Sequence, residues 1–172
     1  MKLKKLPPFL LLCGLLFSGA VARAANEPTL AQSLELIRQT VNDSGRTVEA
    51  LGANGVMHSV FTVTETTSES LNVSEERTLD LFDNGQTTVF LYHYVLPLRS
   101  LKKIETRKRN GGRGDIFVTQ LWTADGAVTF SRTNEGKTGQ GQKDNLVVRL
   151  ANERSNDVLR TAFQQVLKLL KK

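Results

Sequence analysis

The chain has 172 residues with a formal net charge of +6, one cysteine and two histidines. One cysteine excludes an internal disulfide framework, and so few sulfur and imidazole groups exclude the ligand spacing of a structural zinc site. The length suits one domain rather than several.

The first 24 residues read as an export signal. Met1-Lys2-Leu3-Lys4-Lys5 is a positive n-region, Phe9 to Phe17 is apolar, and Ala20-Val21-Ala22 and Ala22-Arg23-Ala24 offer small-residue cleavage sites. The apolar stretch from Leu6 to Ala22 is 17 residues long and contains Pro7 and Pro8, which is short for a membrane span. Leu12 before Cys13 departs from a lipidation motif. Cleavage after Ala24 is therefore expected, with no transmembrane segment afterwards and a periplasmic or secreted destination, in a pattern of bacterial type. Lys2, Lys4, Lys5 and Arg23 leave with the signal, so 19 basic residues face 17 acidic ones in the remaining 148. Most of the positive charge belongs to the signal. The cysteine leaves too, so residues 25 to 172 must fold as a single domain around a packed core.

A helix is expected first. Thr29 and Gln32 match a capping box, and Leu30, Leu34, Ile37 and Val41 recur at helical spacing. Asn42-Asp43-Ser44-Gly45 ends it, with Gly45 suited to a left-handed cap. Residues 46 to 55 show no clear period. From Val56 to Thr64 the composition turns β-branched and aromatic, which predicts a strand. Further strands are predicted over Arg77 to Phe82, Thr87 to Leu96, Leu101 to Arg107, Asp115 to Thr123, Ala127 to Arg132 and Asn145 to Leu150. Asn84-Gly85 and Asp125-Gly126 read as hairpin turns, and Gly136 to Gly141 as a mobile loop. A closing helix follows, capped by Ser155-Asn156-Asp157, with Leu159, Phe163, Val166, Leu167 and Leu170 on one face.

The fold class is thus α+β: an N-terminal helix, six or seven antiparallel strands in a bent sheet or partly open barrel, and a C-terminal helix packed on it. The order of elements from about residue 56 to 171 resembles the pleckstrin-homology-like fold, whose final helix plugs one end of a seven-stranded barrel. The closing helix lacks the tryptophan typical of pleckstrin-homology domains; Trp122 lies on a predicted strand instead. The resemblance implies an architecture and carries over no functional residue.

Chemistry is sparse. His58 and His93 fall on separate strands, no Gly-x-Ser-x-Gly elbow exists, and no cofactor is expected. Gly136-Lys137-Thr138 resembles the tail of a phosphate loop, but Ser131 stands where that motif needs glycine. Glu75-Glu76 reads as a solvated strand end. The remaining feature is charge. Arg99, Lys102, Lys103, Arg107, Lys108, Arg109 and Arg113 fall within 15 residues against Glu105 alone. Glu65, Glu69, Glu75, Glu76, Asp80 and Asp83 gather within 19 residues against Arg77 alone.

Two expectations follow from that asymmetry. Either the segments face each other and compensate, or Arg107, Lys108, Arg109 and Arg113 form a patch for an anionic envelope component or a protein partner. Nucleic acid does not fit an exported chain whose basic stretch has no interleaved aromatics. Arg113-Gly114-Asp115 has the form of an adhesion tripeptide and is explained by the turn. The function expected is an exported, non-enzymatic binding domain of the cell envelope or exterior. The alternatives are an unrecognised hydrolase using His93 or the acidic segment, and a structural or assembly subunit of an envelope complex.

Overall fold

A computed structural model of the chain describes residues 27–83 and 85–171. The predicted signal at residues 1 to 24 and Asn84 of the predicted turn lie outside the described residues.

The first helix, α1 (Leu30–Ser44), starts on the predicted capping box: Thr29 Oγ1 accepts from Gln32 N at 3.2 Å, and Gln32 Oε1 accepts from Thr29 N at 2.9 Å. Leu34, Ile37 and Val41 are buried, as their spacing requires. Gly45 is not left-handed, however; its φ is −77°. It is glycine because of crowding, since a Cβ there would stand 2.5 Å from the Val41 carbonyl oxygen and 2.8 Å from that of Phe61.

Nine strands follow rather than six or seven: β1 (Arg46–Ala50), β2 (Gly55–Thr66), β3 (Ser70–Leu81), β4 (Thr87–Pro97), β5 (Leu101–Asn110), β6 (Asp115–Thr123), β7 (Val128–Asn134), β8 (Lys137–Lys143) and β9 (Asn145–Leu150). The closing helix is α2 (Glu153–Leu170). All strand pairings are antiparallel, in a six-stranded sheet ordered β1-β2-β3-β4-β7-β8 and a three-stranded sheet ordered β5-β6-β9. The architecture is α+β, with the sheet left unclosed.

Two departures from expectation account for the extra strands. β1 comes from the unassigned stretch, where Thr47 is buried and Val48 exposed, the reverse of what side-chain polarity suggests. β8 replaces the predicted mobile loop at Gly136 to Gly141. Its glycines make room for a ring: a Cβ on Gly141 would come within 2.7 Å of the Phe130 side chain on the paired strand β7. Asp125-Gly126 is likewise not a hairpin. β6 belongs to the small sheet and β7 to the large one, so this turn carries the chain between them, with Gly126 at φ 61° donating its N–H to Asp144 Oδ1 at 2.7 Å.

The helices fill one end of the space between the sheets. α1 packs on β2 and α2, and α2 packs on β5 and β6. Leu159, Phe163 and Val166 are fully buried, while Leu167 and Leu170 lie partly buried against the core. The α2 cap sits earlier than predicted, because Asn152 Oδ1 accepts from Ser155 N at 2.8 Å. Asn156 is thereby freed for the interior, where it accepts from Thr119 Oγ1 at 2.8 Å. A bulge in β2 between Val63 and Glu65 is held from α1, with Asn42 Oδ1 accepting from Val63 N at 2.7 Å. The opposite end of the large sheet's inner face is left to polar and aromatic side chains.

Candidate functional site between the two sheets

The basic stretch that stands out in the sequence is the β5–β6 hairpin. Asn110 and Asp115 are its last paired residues, and Gly112, at φ 76°, takes the left-handed conformation the turn needs. The Gly111 carbonyl accepts from Ala50 N at 2.7 Å, which ties the turn to β1. Strand alternation splits the four residues. Lys108 points to one face, 2.7 Å from Asp115 Oδ2, and that carboxylate holds its ammonium above its ordinary pKa. Arg107 and Arg109 share the other face. Arg109 forms an ion pair with Glu49 of β1, and Arg113 is exposed on the turn.

The predicted mutual compensation of the two charged segments does not occur. The acidic segment lies on the large sheet and the basic one mostly on the small sheet. The acids that meet the basic stretch are local or come from β1: Glu105 lies 2.5 Å from Lys103, and Asp115 and Glu49 engage Lys108 and Arg109.

Arg107 and Arg109 face the same side as a residue the sequence does not advertise. Arg107 stands opposite Val118, and Val118 stands opposite Arg149 on β9, so the row Arg107–Val118–Arg149 crosses the small sheet on one face. That face looks onto the large sheet. Arg149 Nη1 lies 3.3 Å from Oε1 of Glu75 on β3, and its guanidinium sits 5.9 Å from the Phe61 ring centroid.

Glu75 is the hub, with a side chain only 1% exposed. Its Oε1 accepts from Arg77 Nη2 at 2.8 Å and Arg77 Nε at 3.1 Å, and its Oε2 accepts from Tyr94 Oη at 3.1 Å. Around it stands a row of rings on β4 and β7. Tyr92 and Tyr94 stack with centroids 5.8 Å apart, and Phe90 and Phe130 flank them at 6.4 and 6.2 Å. Cations cover the rings: Arg77 lies 4.8 Å from Tyr92, Arg132 5.5 Å from Phe90, and Lys143 4.5 Å from Phe130.

The electrostatics are unbalanced. Arg77, Lys143 and Arg149 act on one carboxylate, and Arg132 stands over the Phe90 ring. Burial lowers the pKa of Arg149 and of Lys143, and the attraction of Glu75 does not fully offset it. Arg77 is also penalised by burial, yet its direct contacts with Glu75 outweigh that and raise it. Burial, followed by the nearby Glu75 charge, drives the Tyr94 hydroxyl far above its ordinary value. The arrangement holds fixed positive charge next to apolar rings, a combination suited to an anion with an apolar body.

The expectation of a solvated Glu75-Glu76 end is overturned for Glu75. The strand begins at Ser70, seven residues before the predicted start, so Leu71, Val73, Glu75 and Arg77 share the inner face. The alternation Leu71-x-Val73-x-Glu75-x-Arg77-x-Leu79 carries that information in the sequence.

The histidines lie on the outer face of the large sheet. His58 is 3.4 Å from Asp80 Oδ2. His93 stands opposite Ser74 and Ser131, in a shallow depression of about 310 Å³ also lined by Glu76. Ser74 Oγ donates to the Thr62 carbonyl at 3.4 Å rather than to His93. No group of three His, Cys, Asp or Glu residues that could hold a metal occurs among the described residues, and no helix among them is long and apolar enough to cross a membrane. No protein-family model, curated protein or solved structure matches the chain.

Proposed function

We propose that the protein is an exported, non-enzymatic binding domain that takes an anionic component of the cell envelope or exterior. The observation that carries this reading is the excess of cations where the two sheets face each other. Arg77, Lys143 and Arg149 crowd one buried carboxylate, Arg132 covers the neighbouring Phe90 ring, and Arg107 lies on the same face of the small sheet as Arg149. Burial lowers the pKa of Lys143 and Arg149, and cations held at that cost favour a partner that brings negative charge. The signal-like first 24 residues support export.

Export is tested by intact-mass analysis of the protein recovered outside the cytoplasm. Loss of residues 1 to 24 is expected, and recovery of the full chain would overturn the localisation. Anion binding is tested by sedimentation with acidic vesicles and acidic envelope polymers. Attachment is expected to fall steeply with salt, because exposed charges are screened beyond about 8 Å at physiological ionic strength. Each cation near an anionic surface contributes on the order of 1 kcal/mol, so replacing Arg107, Lys108, Arg109 and Arg113 together by glutamine is expected to abolish measurable attachment. A variant that melts like the wild type and still attaches would refute the role of the hairpin.

A further inference from the structure

We infer that the inner end of this surface is a seat for a phosphate-type oxyanion, held by Ser59, Arg77, Arg109 and Arg149. The inference rests on the anion-binding reading and adds the group that is recognised.

Ser59 carries the argument. It is 1% exposed, on the inner face of β2, and its Oγ is buried without a hydrogen-bond partner. It stands directly opposite Arg77 on one side and Thr47 on the other. Arg109 Nε is also buried without a partner, although Arg109 Nη2 engages Glu49. Glu49 lies two residues along β1 from Thr47, hence on the same face. Arg149 is close enough to both Arg109 and Glu49 to feel their charges. Two unpaired buried donors thus accompany three guanidinium groups. Unpaired buried donors are rare in folded proteins, and a bound ion is one of the recognised explanations for them.

The donors sit on β2, β3, β5 and β9, so they come from both sheets rather than from one plane. A carboxylate offers two coplanar oxygens, whereas a phosphate offers three or four in a tetrahedron. The latter matches donors of this spread, and guanidinium forks suit its oxygen edges. Charge agrees as well. Arg77, Arg109 and Arg149 exceed Glu49 and Glu75 by one, and Lys143 and Arg132 stand nearby for a second negative charge. Tyr92 and Phe90, already lying under Arg77 and Arg132, provide a surface for the body of a phosphate ester.

The test is titration calorimetry of the protein with inorganic phosphate and with phenyl phosphate, beside sedimentation with vesicles of phosphatidic acid in phosphatidylcholine. Saturable binding is expected. Ser59→Ala and Arg109→Lys are each expected to weaken it about tenfold, the loss typical of a hydrogen bond to a charged group. Ser59→Ala removes only an unpaired hydroxyl, so its melting temperature is expected to be no lower than that of the wild type. Arg109→Lys keeps the charge, which separates a lost donor from lost electrostatics. Arg154→Gln and Arg160→Gln, exposed on α2, should leave affinity for the soluble probes unchanged. Binding of vesicles alone, still weakened by Ser59→Ala, would support the seat and assign it to a lipid headgroup. If anions bind Ser59→Ala and Arg109→Lys as tightly as the wild type, the seat is refuted and the general anion-binding reading stands. If the wild type binds no anion, both fall.

Discussion

Deleting residues 158 to 172 is expected to leave a chain with no cooperative thermal transition. Leu159, Phe163 and Val166 are fully buried and Ala162 nearly so. Burying each large apolar side chain contributes about 1.5–3 kcal/mol, and the sum is comparable to the roughly 5–15 kcal/mol of net stability of a domain. The loss also reaches beyond the helix. Leu121, Leu146, Val148 and Leu150 belong to the same core cluster and would face water, and α1 would lose the partner it packs against. Scanning calorimetry checks this directly, and an unchanged melting curve would show α2 to be peripheral. Phe163→Ala gives a graded version. A cavity at a fully buried phenylalanine costs about 3–5 kcal/mol, which lowers the melting temperature on the order of 10 °C for a domain of this size.

That prediction was accessible from the sequence because the signals for α2 are local. Its apolar face repeats every three or four residues, and the same holds for α1 with its capping box. β4 and β6 were equally legible, from runs of β-branched and aromatic residues. β8 was not. Lys137-Thr138-Gly139-Gln140-Gly141-Gln142-Lys143 has the composition of a loop and becomes a strand through pairing with β7 and the Phe130 ring over Gly141. Its order comes from a neighbour, which no local rule detects.

The buried part of the candidate site was hidden for a related reason. Charge density drew attention to residues 107 to 113, where Arg107, Lys108 and Arg109 are adjacent in sequence but alternate between two faces in space. The buried network is assembled from β3, β4, β7, β8 and β9, with Glu75 and Arg149 separated by 74 positions. Neither residue stands out alone. Placing the start of β3 near Arg77 also hid the row that carries Glu75 inward. Once the strand begins at Ser70, an acid and an arginine in an otherwise apolar row mark an internal ion pair. Arg107 and Arg109 are where the two readings meet, since the hairpin turns them towards the face that Arg149 occupies.

Glu75→Gln is expected to be among the most damaging single substitutions in the chain. The glutamine nearly preserves shape but removes the charge that Arg77 and Arg149 meet at 2.8 and 3.3 Å. Their guanidinium groups would then remain largely desolvated, with Lys143 close by and no counter-charge. Breaking a buried pair by removing one partner costs about 3–5 kcal/mol, a fall in melting temperature on the order of 10 °C. The loss should exceed that of any exposed pair, such as Lys108 with Asp115, where solvent screens the attraction. Replacing the whole network separates charge from packing. In Glu75→Leu/Arg77→Met/Arg149→Met the three directly paired ions are removed together, and much of the stability lost in Glu75→Gln should return, because apolar residues of similar volume commonly substitute for buried ion pairs without loss. The triple variant should nevertheless bind no anion, since two of the guanidinium groups are gone. A triple variant as unstable as Glu75→Gln would show that the cluster holds the two sheets together in a way packing cannot replace. One that is stable and still binds phosphate would place the anion elsewhere.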